Sequence, residues 1–216
     1  MKSFCLGLLL TAPVFCAPPT VGYSRSFPGS DPAYFLVQVD RNGALEYKES
    51  PTDDNPLKAQ LQEAETNPLF AAADSLNHFK VPLESGLKVA NTGKKTFRYE
   101  DENGGITEAT FNYSTNEVAR GLVDRFENIA ASEHAYLELD RTAHYDKLGV
   151  NDALADIEAL WVHKQLAAPQ QFIPLLTRIS THESYMHLVR DRAARLKSEF
   201  QGASSSASAS ADPKQK

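Results

Sequence analysis

The sequence predicts an α+β fold: two antiparallel β-hairpins forming a small sheet packed on helices, followed by a C-terminal helical bundle. Three observations carry this expectation. Two Asn-Gly turns are each flanked by runs that alternate apolar and polar residues. An apolar stripe at three- and four-residue steps lies between them, and after Tyr113 every pattern is helical. Setting aside the biased ends, 1–16 and 201–216, leaves 184 residues, enough to bury roughly 70% of the unfolded surface.

The elements follow in chain order. After Lys2, the run Phe4 to Cys16 has the basic start, apolar stretch and small residues of a secretory leader, assigned to residues 1–16. It is shorter than the roughly 20 residues a membrane span needs. Cleavage after Cys16 places Val14 and Cys16 at the two small-residue positions. It also removes both cysteines, leaving a mature chain that cannot use disulfides. The expected location is therefore periplasmic or secreted, with a lipid anchor on Cys16 as the alternative. Residues 17–33, with Pro18, Pro19, Gly22, Pro28, Gly29 and Pro32, read as an extended linker ahead of an α+β domain at 34–149.

The first hairpin pairs Tyr34 to Val39 with Ala44 to Lys48 through Asp40-Arg41-Asn42-Gly43. Leu45 and Tyr47 occupy one face, and Glu46 and Lys48 the other. The second pairs Thr96 to Glu100 with Ile106 to Tyr113 through Glu102-Asn103-Gly104-Gly105. Between them, Asn55-Pro56 and Asn67-Pro68 each read as an N-cap followed by proline at the first helical position. Leu69, Phe70, Ala73, Leu76 and Phe79 then form a stripe able to lie on the sheet.

Ser114-Thr115-Asn116-Glu117 reads as a capping box opening a helix that runs to about Lys147. At 1.5 Å per residue it would be roughly 50 Å long, more than twice the span of ordinary strands. Its distal part, with Tyr136, Leu139 and Ala143, must therefore find other partners. Segments 152–165, 169–179 and 181–200 supply them as a helical extension over 150–200. The last segment starts behind a second capping box, Ser180-Thr181-His182-Glu183. The Ser/Ala-rich end, 201–216, is expected to be disordered.

The segments Leu76-Asn77-His78-Phe79, Ala90 to Phe97 and Phe111-Asn112-Tyr113-Ser114, in the order hairpin, helix, hairpin, long helix, helical end, resemble uncharacterised exported bacterial proteins of acidobacterial type. The resemblance spans roughly residues 34 to 199. It implies export and this architecture, and no reaction.

The formal net charge of −6 argues against nucleic acid and anionic membrane as partners, since both need clustered Lys and Arg. Candidate chemistry concentrates on histidines. His182-Glu183-Ser184-Tyr185-Met186-His187 approximates a zinc-peptidase motif, but its five-residue spacing turns the second ring about 140° away on a regular helix. His134 with Glu138, and Asp140 with His144, are i,i+4 pairs that could offer metal ligands, or form exposed ion pairs worth a few tenths of a kcal/mol. His163, beside Trp161, reads equally as a packing residue with a satisfied ring nitrogen or as a ligand.

Lys94, Lys95 and Arg98 make a small basic spot able to meet an acidic partner. Tyr34, Phe97, Tyr99, Phe111 and Tyr113 read as core rather than as a ligand groove. No nucleophile elbow or phosphate loop is complete. The sequence implies no cofactor. The favoured expectation is a non-catalytic exported interaction or structural module of the cell envelope, contacting an envelope or extracellular protein and carrying no span in its mature form. The alternatives are a metal-dependent hydrolase using His134, His144, His163, His182 or His187, and a small-ligand or lipid binder between sheet and bundle.

Overall fold

A computed structural model describes residues 17–210. The expected leader, 1–16, lies outside the described residues, as does 211–216.

The central feature of the sheet is a strand the sequence reading took for a connector. β1 (Thr20–Ser26) is hydrogen-bonded on both sides, to β2 (Tyr34–Asp40) and to β5 (Lys94–Glu100). The linker assignment for 17–33 is thereby corrected. Prolines on both flanks hid a strand whose own residues alternate correctly: Val21 and Tyr23 are fully buried, while Ser24 and Ser26 lie on the other face. With β3 (Ala44–Lys48), β4 (Leu57–Gln60) and β6 (Ile106–Phe111), the sheet has six antiparallel strands in the order β4-β3-β2-β1-β5-β6. The fold is α+β, and both expected hairpins form.

Their turns share one device. Asp40 Oδ1 accepts from the Asn42 and Ala44 amides at 2.8 and 2.9 Å, and Gly43 adopts φ +84°. Asp101 Oδ1 does the same for Asn103 and Gly105, with Gly104 at φ +77°. A side-chain carboxylate pins each loop while glycine takes the left-handed conformation.

Helix starts differ from the sequence reading. Asn55-Pro56 precedes β4, not a helix: Asp53 Oδ1 closes a tight turn on the Asn55 amide, and the next four residues pair with β3. α1 (Glu63–Ser75) starts before Asn67-Pro68, where the Gln62 amide donates to Glu65 at 2.8 Å, and it carries Pro68 inside. Its expected stripe is buried at Leu69, Phe70 and Ala73, and continues through Leu76 and Phe79. α2 (Glu117–Tyr145) is capped by Asn116, whose Oδ1 accepts from the Val118 and Ala119 amides, so the cap lies two residues beyond Ser114.

α2 rises roughly 44 Å and belongs to two cores. Its first half packs Leu122, Phe126 and Ile129 on the sheet, where Tyr23, Phe97 and Phe126 form an aromatic cluster with centroids 5.4 to 6.2 Å apart. Its second half packs Ala135, Leu139 and Ala143 into a separate cluster with α3 (Val150–Val162), α4 (Ile173–Thr181) and α5 (His187–Ser210). The second capping box is also corrected. α4 runs through Ser180 and Thr181, and His182–Met186 form a turn drawn onto α2 by the Tyr185 hydroxyl, which donates to the Ala143 carbonyl at 2.9 Å. Phe200 is fully buried in α5, whose backbone stays helical through Ser210.

Candidate functional site

The two cores meet along one stripe of α2. Glu127, Ala130, Ala131, His134, Ala135 and Glu138 recur at three- and four-residue steps, mixing small and charged residues where a core stripe would be large and apolar. Small side chains keep neighbouring elements from filling the space above them. A cleft of about 450 Å³ results, floored by Phe35 and Tyr47 of the sheet and walled by Ala153, Ala159 and Leu160 of α3. That size falls within the ordinary range of small-molecule sites.

Two buried tyrosines fix its charged groups. The Tyr23 hydroxyl donates to Glu127 Oε1, and Arg25 Nη1 donates to Glu127 Oε2, both at 2.7 Å. The Arg25 guanidinium lies 4.9 Å over the Phe35 ring. The Tyr47 hydroxyl donates to Glu49 Oε1 at 2.9 Å, and His134 Nδ1, in the cleft, lies 2.7 Å from the same oxygen. Burial, then the neighbouring carboxylate, drives the ionisation of both phenols far above the usual tyrosine range. They are therefore permanent donors that hold Glu127 and Glu49 in place.

Behind the cleft, Glu133 is fully buried. Burial pushes its carboxyl up to about 7, aided by Glu65 and opposed by the hydrogen bond from Gln171. The loop leading to α4 is tied down beside it: the Ala167 amide donates to Ser132 Oγ at 2.8 Å and the Ala168 amide to Glu65 at 2.9 Å.

No family model, curated protein or solved structure matches this chain.

The sequence-predicted residues divide. His134 and Glu138 share the cleft, but not as a pair: His134 is held by Glu49, while Glu138 binds Arg141, which holds its carboxyl below the usual range. Asp140 and His144 do pair, at 3.4 Å, with Arg178 also on Asp140, and lie outside the cleft. His182 bonds Ser184 within its turn, and His187 lies 2.6 Å from Asp191 on the exposed start of α5. These four sites do not converge, and among the described residues no three His, Cys, Asp or Glu side chains could hold a metal ion together. His163, for which the sequence leaves packing and ligation equally open, is exposed and lines the cleft.

The basic spot is also divided, because adjacent strand residues face opposite ways. Lys94 and Arg98 share the open face, where Glu108 and Glu100 engage Arg98 at 2.9 and 3.2 Å. Lys95 points inward and donates to Thr92 Oγ1 and the Asn112 carbonyl. Sequence reasoning missed Arg25, Asp31, Glu49, Glu127 and Asp156. Only the mixed stripe on α2 carried a readable signal for them.

Proposed function

We propose that this protein is an exported binding module whose ligand occupies the cleft between the sheet and the helical bundle. The observation that carries the reading is the cleft's construction: alanines on two helices line it beside an Arg25–Glu127 pair already fixed by the buried Tyr23 hydroxyl. Polar groups held before a ligand arrives lower the ordering cost of binding. This gives the small-ligand reading a positive feature that contact through Lys94, Lys95 and Arg98 lacks.

Export is supported by the N-terminal Lys2-to-Cys16 pattern and by the resemblance to exported bacterial proteins. β1 begins at Thr20, so cleavage after Cys16 leaves every strand of the sheet intact. Among the described residues, no helix is long and apolar enough to cross a membrane.

The test is a thermal-shift screen of small molecules on the wild type and on Ala131→Phe. Ala131 is exposed on the cleft wall, so phenylalanine fills the space without entering the core. Compounds that raise the wild-type melting temperature and not that of the variant support the reading, since a site occupied at 100 times Kd adds about 2.7 kcal/mol. Stabilisation that survives the filled cleft refutes it. For location, a mature N-terminus at Ala17 is expected in the envelope or medium, and intact leader on protein inside cells would overturn export.

A further inference from the structure

We propose that the ligand is a linear organic amine, its ammonium group met by Asp31 and Asp156 at the mouth and its unbranched apolar body lying along the alanine wall. This rests on the binding reading and names the chemistry of that same site. Four carboxylates line the cleft, those of Asp31, Glu127, Glu138 and Asp156, against one residue of fixed positive charge, Arg25. Their commitments differ. Both oxygens of Glu127 are taken, one by Tyr23 and one by Arg25. Both oxygens of Glu138 are taken by Arg141. Asp31 and Asp156 are exposed, and their carboxylates have no hydrogen-bond or ion-pair partner among the described residues.

The spare charge at the mouth is therefore negative. Arg25 does not counter it, because its charge is matched by Glu127, whose Oε2 accepts from Nη1 at 2.7 Å. Its Nε is buried, closed off from the cleft, and offers no ligand donor. An anionic ligand would have to share Arg25 with Glu127 while approaching the free carboxylates. A cation meets both unspent groups and disturbs nothing. Shape selects the rest: Ala130, Ala131 and Ala135 of α2 face Ala153 and Ala159 of α3, a slot lined by methyl groups that suits a narrow chain.

The probes are octylamine, octanol and octanoate, titrated calorimetrically into wild type, Asp31→Asn/Asp156→Asn and Ala131→Phe. Octylamine is expected to bind one to one, with octanoate weaker by about tenfold or more, since each exposed ion pair contributes up to roughly a fivefold factor. The double Asn variant should lose about tenfold in octylamine affinity, keep its octanol affinity, and lose the salt sensitivity of amine binding. Ala131→Phe should abolish all three. Octanoate binding as tightly as octylamine, or an unchanged double Asn variant, overturns the amine while loss of binding in Ala131→Phe still upholds the cleft. Failure of all three probes, or binding indifferent to Ala131→Phe, overturns both.

Discussion

Gln171 Nε2 donates to Glu133 Oε1 at 2.8 Å, while Glu133 Oε2 is buried with no partner. This single hydrogen bond leaves half of a carboxyl unsatisfied where α2 passes from the sheet core to the bundle core, with Glu65 adding like charge from α1. The neutral acid is therefore the form that suits the fold. Its folded value of about 7 lies above the ordinary glutamate value of 4.5, so its stabilising contribution is complete below about 4.5 and is lost as pH rises through 7.

The first prediction follows directly. Glu133→Gln keeps the shape and removes the titration. Urea unfolding at acidic, neutral and alkaline pH should show the variant gaining on wild type as pH rises, by at most roughly 3 kcal/mol across the window. A wild-type-minus-variant difference that stays flat with pH would contradict the role given to this carboxyl.

The second prediction concerns the two phenols. Tyr23 and Tyr47 donate to Glu127 and Glu49 from fully buried positions, so deprotonation would place a second negative charge beside each carboxylate. In an alkaline titration followed by tyrosinate absorbance, both should stay silent until the protein unfolds. Tyr23→Phe/Tyr47→Phe should shrink the late, unfolding-linked phase by two phenols. Each single change should also cost about 1 to 2 kcal/mol, because a charge-assisted donor is lost from a carboxylate. Phenols that ionise while the fold persists would show that these donors do not hold the cleft.

The contrast between what the sequence reveals and conceals is physical. Leu45 and Tyr47, or Leu69, Phe70 and Ala73, announce themselves because burial of large apolar side chains follows the period of the backbone. β1 did not, because its flanking prolines and glycines dominate the local composition while its pairing depends on strands far along the chain. Caps slid by a few residues wherever several Asn, Ser or Gln side chains competed to satisfy the same amides, as Asn116 did against Ser114. The cleft was the least legible part. Arg25 and Glu127 meet across 102 residues of sequence, and no local pattern encodes such a partner. His134 was singled out for its spacing to Glu138, yet the structure gives it to Glu49.

The twin hairpin turns supply a third prediction, since the same glycine conformation sits in two different surroundings. A Cβ on Gly104 meets nothing within 4 Å, so Gly104→Ala should cost only the left-handed strain, about 1 to 2 kcal/mol. A Cβ on Gly43 would lie 2.5 Å from the Leu61 carbonyl oxygen, which also borders the start of α1. Gly43→Ala should therefore cost about 3 kcal/mol or more, because backbone must move as well. Denaturant midpoints compare the two, and equal losses would show that the close approach at Gly43 relaxes freely.

The last prediction bears on where the folded body begins. β1 satisfies the facing edges of β2 and β5 at once and contributes Val21 and Tyr23 to the core. A chain starting at Ala17 keeps all of this and should unfold in one cooperative transition with wild-type stability. A chain starting at Phe27 leaves two strand edges unpaired inside what was one sheet, and opens a void beside Phe97 and Phe126. It should show no cooperative transition by near-UV circular dichroism, even if the helical signal of the bundle persists. Retention of tertiary signal in that shorter chain would return Thr20–Ser26 to the status of a dispensable connector.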